Sequence, residues 1–171
     1  GYPNTDWNKE VLLPRAWQQM HSLTASGGSD KVKYFAGFGY VKQDALYGDT
    51  RTNKSTSGFN RYNARVNIDA NIVDKYLNLS ADMAYRQEDR NSIAGSTSDV
   101  FNNMHRNPQT DPGRFPDGNL GKVSLGVNPI GLATEGGWVK DRKSVLNTRF
   151  MLDFNAVSYT HLRAHETRED L

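Results

Sequence analysis

The 171 residues of this chain are 36% hydrophobic and 23% charged, with a formal net charge of +2 and no cysteine. A charge balance this close to neutral, without a cluster of Lys and Arg, gives no support for a nucleic-acid partner. The lack of cysteine excludes disulfides and thiolate metal sites. No apolar run approaches the ~18 residues that a transmembrane helix needs.

The start of the chain does not have the features of a leader sequence. GYPNTDWNKE contains neither the basic start nor the apolar stretch of a signal peptide. The first residue is Gly1 rather than a methionine, so we expect a mature segment or a fragment. An aromatic content of 11% is higher than disordered chains usually carry, and a folded structure is therefore expected.

Two segments of alternating character predict the first hairpin, near residues 18–26 and 31–42. The Gly-rich sequence GGSD joins them and is a turn signal. The register this turn predicts pairs Ser26 with Lys31. It places one set of mainly apolar side chains on a single face: Leu23, Ala25, Val32, Tyr34, Ala36, Phe38 and Tyr40.

The second predicted hairpin has the clearest alternation in the chain. Its strands lie near residues 59–72 and 77–86, and every second residue from Tyr62 to Ile72 is apolar. A period of two is typical of a strand with one dry face and one wet face. Pairing Ile72 with Leu77 keeps both faces pure and predicts these pairs: Val66–Met83, Ile68–Ala81, Ala70–Leu79, Asn67–Asp82 and Asn71–Asn78.

The remaining sequence predicts one long loop and a fifth strand. Residues 87–144 are rich in Asn, Gly, Pro and Asp, which favours an irregular loop, and alternation returns near 146–155. The predicted fold is all-β, an antiparallel meander of about five strands. Successive connections of a meander lie at opposite ends, so the short turns at 27–30 and 73–76 share one end. The longer connections, 43–58 and 87–144, share the other.

The dry face could be covered by a protein core or by lipid. The alternating stretches Tyr62–Ile72 and Leu77–Arg86 match the ~9–11 residues of a tilted membrane strand, whereas strands of soluble proteins usually have about 5–6. Tyr62 and Tyr85 at the loop end, and Tyr76 at the turn end, lie where an interfacial aromatic girdle is expected. The pattern favours lipid. The alternative is a soluble carbohydrate-binding β-sandwich, either periplasmic or at the cell surface.

Several segments, in the same order, resemble the early barrel of SusC/RagA-type TonB-dependent outer-membrane transporters. The resemblance extends over residues 1–156 and rests on these strings: YPNTDW, HSLTASGGSDKVKYFAGFGYVKQDALY, FNRYNARVNIDANI, FPDGN and NPIGLATEGGWVKDRKSVLNTRFMLDFN. It implies a slice of a plugged barrel of about 22 strands in the bacterial outer membrane, with long extracellular loops. Residues 1–17 would form one extracellular loop.

The same resemblance implies a function and its partners. Transporters of this family import large nutrients, either glycan oligosaccharides or peptides, with energy coupled through TonB. A SusD-like surface lipoprotein would be the capturing partner, and the TonB complex would act through a plug region that this sequence lacks. A partial barrel domain of residues 1–156 could not transport by itself, and its unpaired strand edges would favour aggregation.

The last residues have a different interpretation. VSYTHLRAHET, at 157–167, resembles the translated read-through of a transposon-end sequencing adapter, and the four residues after it would then be index sequence. We predict that residues 157–171 are a non-native tail. His161 and His165 have an i, i+4 spacing that could bind zinc on a helix, but within an adapter-derived tail this spacing carries no function.

No catalytic, cofactor-binding or metal-binding constellation is predicted, and the chain is not expected to be an enzyme. Substrate-contacting residues are not identified. The group Asp111, Asp117 and Asn119 lacks the ligand spacing of a calcium loop, so it is interpreted as turn-forming. Loop packing or girdle anchoring is predicted, ahead of sugar stacking, for Trp7, Trp17 and Trp138. Lumen ion pairs with acids such as Asp69, Asp82 and Asp153, or contacts to the missing plug, are predicted for Arg65, Arg86 and Arg149.

Overall fold

The computed structural model describes residues 2–74 and 76–155, and they form the predicted all-β fold. Five long strands make the main sheet: β1 (Gln18–Gly28), β2 (Val32–Asp44), β5 (Gly58–Val73), β6 (Leu77–Ile93) and β7 (Trp138–Phe154). A small hairpin, β3 (Gly48–Asp49) and β4 (Lys54–Ser55), lies between β2 and β5. The main sheet is antiparallel throughout, with the order β1-β2-β5-β6-β7, which confirms the predicted meander.

Three short helices lie outside the sheet in the described residues: α1 (Trp7–Val11), α2 (Thr97–Arg106) and α3 (Pro129–Thr134). Each begins at a side chain that accepts hydrogen bonds from the free N–H groups of the first turn, which is the usual role of an N-cap. These caps are Asp6, Ser96 and Asn128. None of these helices has both the length and the apolar character needed to cross a bilayer.

The predicted register of the second hairpin is confirmed except at its turn. All five predicted pairs from Val66–Met83 to Asn71–Asn78 are present. The predicted pairing of Ile72 with Leu77 is wrong, because Leu77 pairs with Val73 and the register shifts between Asn71 and Val73. An extra residue at a β-bulge is absorbed locally, so the two faces of the hairpin stay as predicted.

The predicted register of the first hairpin is wrong by four residues. Ser26 pairs with Phe35 rather than with Lys31, because β1 continues through both glycines before the chain turns. Ser29 forms that turn, since its Oγ accepts the N–H groups of Lys31 and Val32, each at 3.3 Å. A shift by an even number of residues keeps each side chain on its face, so the predicted apolar face survives.

The predicted irregular loop at 87–144 is wrong at both ends and in its interior. β6 continues to Ile93 and β7 already begins at Trp138, with seven further residue pairs between them. Residues 87–92, QEDRNS, are all polar, so they pair without the apolar alternation on which the prediction depended. The interior contains α2 and α3. Residues 1–17 likewise contain α1 and a bridge between Leu12 and Tyr47.

The buried core lies beside the sheet rather than on it. It consists of seven side chains that we call the loop core: Trp7, Val11, Ile93, Val100, Met104, Ile130 and Ala133. Among the described residues, Ile93, the last residue of β6, is the only buried apolar side chain that the main sheet contributes. The loop core therefore joins the segment before β1 to the connection between β6 and β7, at the loop end of the sheet.

Candidate functional site

The apolar face of the main sheet is continuous across all five strands and open to its surroundings. Its central row of cross-strand neighbours runs through Leu23, Phe38, Ala64, Tyr85 and Leu146, and the rows beside it contain Val66, Ile68, Met83 and Phe150. Leu23 is 72% exposed and Phe150 is 74% exposed. Such a large exposed apolar surface marks an interaction site of some kind.

An aromatic row borders the apolar face at the loop end. The rings of Tyr40 and Tyr62 lie 5.1 Å apart, and His21 stacks on Tyr40 at 6.2 Å. Beyond this row the same face becomes polar, with Lys42, Asn60, Asp89 and Arg142 as cross-strand neighbours. Arg142 Nε donates to Asp89 at 2.6 Å. The apolar surface is therefore a band with a defined edge on the side of the loops.

The polar face, on the other side of the sheet, carries a hydrogen-bonded chain across three strands. Arg149 Nε donates to a carboxylate oxygen of Asp82 at 2.8 Å, and the Asn67 amide donates to the other oxygen. Arg65 Nε in turn donates to the Asn67 carbonyl at 2.9 Å. The predicted ion pair between Arg149 and Asp82 is thus present, whereas Arg65 contacts an amide instead of a predicted acid.

Nearer the loops, the polar face is dominated by cations. Glu88 lies 3.1 Å from Arg61 and 3.6 Å from Arg86. The acidic neighbour of Arg86 is therefore Glu88 and not one of the predicted acids. Arg90 and Lys143 flank the same carboxylate along an open groove. Arg86, Glu88 and Arg90 recur at every second position of β6, a spacing that places them on one face of a strand. No apolar residue alternates with them, so hydropathy alone predicts a loop here.

The remaining predicted acids of the polar face lie at the turn end. Asp69 and Asp153 line a shallow depression there, with Lys33 as the cross-strand neighbour of Asp69. Within the described ranges neither acid forms an ion pair with a predicted arginine. Sequence spacing identified the correct face for these side chains, but it could not resolve which partner each would choose.

Two acidic residues of the long connection hold the loop in different ways: the Asp117 side chain forms a local turn, as predicted, whereas the Asp111 side chain joins two segments thirteen residues apart. Asp111 accepts from the N–H of Ser124 at 2.7 Å and from its hydroxyl at 2.6 Å. Asp117 accepts from the N–H and the side-chain amide of Asn119 at 3.0 and 2.7 Å, and these bonds lower the pKa of Asp117. In residues 2–74 and 76–155 no group of three or more His, Asp or Glu side chains could hold a metal ion.

Asp49 forms a similar local pair in the small hairpin. Desolvation alone would raise the pKa of Asp49, but hydrogen bonds from Arg51 lower it below its ordinary value. The Arg51 Nε and backbone N–H lie 3.2 and 3.0 Å from the Asp49 carboxylate. This pair stabilises a turn and lines no site in the described structure.

The three tryptophans divide into one buried and two exposed side chains. Trp7 is 4% exposed and its Nε1 donates to the Pro108 carbonyl at 3.2 Å, so its predicted packing role is confirmed. Trp17 and Trp138 are 63% and 64% exposed at the loop ends of the edge strands. The Lys140 ammonium lies 4.6 Å from the Trp138 ring centre. A girdle role for these two remains a prediction.

No protein-family model matches the chain, and no curated protein matches it. The resemblance to SusC/RagA-type transporters therefore rests on the sequence strings alone and stays a prediction. The tail at 157–171, with His161 and His165, lies outside the described residues. The candidate functional site is the two-faced sheet itself, together with the cationic end of its polar face.

Proposed function

We propose that this chain is part of the barrel wall of a TonB-dependent outer-membrane transporter of the SusC/RagA type. Its apolar face would contact lipid and its polar face would line the lumen. The observation that carries the proposal is the contrast in burial: the loop residues bury a core, while the apolar face of the sheet stays exposed. A soluble sandwich would instead bury that face against a second sheet.

The height of the apolar band supports the proposal. From Tyr62 to Ile72 the strand advances ten residues, or about 33 Å at ~3.3 Å per residue. A barrel strand tilted by ~40° would reduce this to a band about 25 Å tall, the height typical of outer-membrane barrels. The tyrosines at its edge toward the loops suit the bilayer boundary, because their rings are apolar and their hydroxyls can form hydrogen bonds with water.

Strand length and loop asymmetry support the same conclusion. β5, β6 and β7 contain 16, 17 and 17 residues, beyond the 3–10 that are usual in globular proteins. The turns after β1 and β5 are short. At the other end, the connection between β2 and β5 holds the small hairpin and the connection between β6 and β7 holds α2 and α3. Short turns at one end and long loops at the other are typical of outer-membrane barrels.

The proposal assigns a place and partners to the chain. The loop core would lie outside the cell, where a SusD-like lipoprotein could deliver glycan oligosaccharides or peptides. Energy would come from TonB through a plug region, and the barrel wall itself would carry out no chemical reaction. The polar chain from Arg65 to Arg149 would then form part of the hydrated lumen.

The test uses the full-length gene product that contains this segment. We expect it to fractionate with the outer membrane and to migrate faster on SDS gels before boiling than after, since folded barrels resist SDS. Recovery as a soluble periplasmic or surface-released protein, without heat-dependent mobility, would contradict the proposal. That result would favour the carbohydrate-binding sandwich instead.

A further inference from the structure

We propose that the loop end of the polar face binds acidic oligosaccharides, which rests on the transporter function proposed above. The binding surface, here called the cationic patch, consists of five basic side chains on β5, β6 and β7: Arg61, Arg65, Arg86, Arg90 and Lys143. It would select sugars that carry carboxylate or sulfate groups at the entrance to the lumen.

The pairing of the strands brings these side chains together. Arg61, Glu88 and Lys143 are cross-strand neighbours in one row, and Arg90 lies in the next row beside Asp141. Side chains that are directly opposite on neighbouring strands lie about 4.5–5.5 Å apart at Cβ. The patch is therefore continuous over three strands.

Its charge is not balanced by its own acids. The five cations face two carboxylates, Glu88 and Asp141, which leaves a surplus of three positive charges. Glu88 is shared between Arg61 and Arg86, and Arg65 donates to an amide rather than to an acid. Arg142, one row away on the opposite face, has its own carboxylate partner in Asp89. At this height the opposite face carries Lys42, Lys140 and Arg142 against Asp44 and Asp89. That is a surplus of one positive charge, so the excess is larger on the polar face.

The position of the patch favours a ligand that arrives from outside. Arg86 lies next to the aromatic row, and Arg61, Arg90 and Lys143 lie beyond it toward the loops. This part of the wall extends past the apolar band. Arg65 lies three residues from Tyr62 on the other side of the row, within the height of the apolar band. An open groove of about 510 Å³ reaches from Arg61 and Arg90 to the loop residues above them. A polyanion could therefore contact the patch before it entered the lumen.

The mixture of side chains fits an acidic sugar chain. Guanidinium groups bind carboxylates and sulfates through paired N–H donors. On the polar face of β5 arginines alternate with amides in the order Arg61, Asn63, Arg65 and Asn67, and amides can bind sugar hydroxyls. The Arg61 guanidinium lies 5.0 Å from the centre of the Phe59 ring, and this contact helps to orient its N–H donors.

Calorimetric titration of the full-length transporter, purified in detergent, tests this inference with short oligogalacturonates and sulfated chondroitin oligosaccharides. We expect at least one of these acidic probes to bind, and methyl-esterified oligogalacturonates to bind far more weakly. The double variant Arg61→Gln/Arg90→Gln should weaken acidic binding by roughly five- to tenfold, the scale of two partly exposed charge contacts. Arg142→Gln, the control at the same height on the opposite face, should leave it unchanged.

Three results would overturn the inference: no binding of either acidic probe, equal binding of the esterified probe, or tighter binding of an oligoglutamate peptide. An equal loss of binding in Arg142→Gln would do the same, because it would show a general charge effect. Heat-dependent mobility and membrane fractionation of the same preparations report separately on the barrel. A folded outer-membrane barrel that fails the titration refutes the ligand class and leaves the proposed function intact.

Discussion

Apolar side chains are buried in the loop core but exposed on the main sheet. In the loop core Val100 and Ile130 are 0% and 2% exposed, although the helices that carry them have only ten and six residues. In the sheet Leu152 and Phe150 are 64% and 74% exposed on a strand of 17 residues. Hydrophobic burial therefore organises the small loop elements within the described chain, while the long strands are organised by their backbone ladders.

The two regions therefore differ in the source of their stability. Each apolar side chain of the loop core gains about 1.5–3 kcal/mol when it leaves water. The apolar face of the sheet gains nothing comparable until something covers it. If that cover is lipid, as proposed, the loop core should depend on packing and the sheet should depend on the bilayer. The predictions that follow test this separation.

The largest effect is expected from a charge placed on the apolar band. In the full-length protein, Ala81→Arg should prevent assembly of the barrel in the outer membrane, because an Arg at the bilayer midplane costs ~2–4 kcal/mol. Ser80→Arg is the matched control on the polar face, where Asp69 is its cross-strand neighbour. Heat-dependent mobility of the membrane fraction measures both. Equal tolerance of the two variants would mean that the apolar face does not contact lipid.

A smaller and more local effect is expected in the loop core. Ile130→Ala removes a buried side chain and should destabilise the loops by about 2–5 kcal/mol, while the barrel still assembles. Limited proteolysis of the intact protein should show faster cleavage between β6 and β7. Leu125→Ala, at a position that is 48% exposed, is the control. Loss of the barrel in Ile130→Ala alone would show that the two regions fold as one.

The sequence predicted the sheet well because the alternation there reflects one dry face. From Val66 to Asn71 every pair with β6 is as expected, since a one-residue slip would reverse the faces. The predicted register of β1 and β2 failed because two glycines gave no side-chain signal for the point where the chain turns. Only the face, which an even shift preserves, could be predicted there.

The loop region was predicted poorly for a different physical reason. Val100 and Met104 are the two buried apolar residues of α2, and such a short stripe scarcely differs from an irregular segment. The loop core also joins residues that are far apart in sequence, such as Trp7 and Ile130. The cationic patch was missed in part because Arg90 and Lys143 lie in strand extensions without apolar alternation. Their backbone pairing, not their hydropathy, places them in the sheet.

Asn128 gives a way to separate packing from hydrogen bonding within the loops. Its buried amide donates to the carbonyls of Gly113 and Gly121 at 2.9 and 2.8 Å, and its oxygen accepts from the Ile130 N–H at 3.0 Å. Asn128→Ala should cost roughly 1–3 kcal/mol, because it removes the donor to the buried Gly121 carbonyl and the acceptor of the Ile130 N–H. The Gly113 carbonyl would still accept from the Gly121 N–H at 3.0 Å. Asn128→Ser keeps an N-cap oxygen and should recover part of that loss. Hydrogen exchange of the α3 amides measures both variants, and identical protection in the two would assign the whole effect to the lost donors.

The smallest effect is a pH dependence confined to one turn. Hydrogen bonds from the N–H and the side chain of Asn119 lower the pKa of Asp117 below its ordinary value of 3.8. A carboxyl whose pKa is lowered by folding stabilises the turn fully above its unfolded pKa, and this contribution disappears as the pH falls through the lowered value. Exchange of the Asn119 amide, corrected for its intrinsic pH dependence, should therefore accelerate below about pH 4. The Asp117→Asn variant should show no such acceleration. If wild type and variant respond alike, the stability of this turn does not depend on the Asp117 charge.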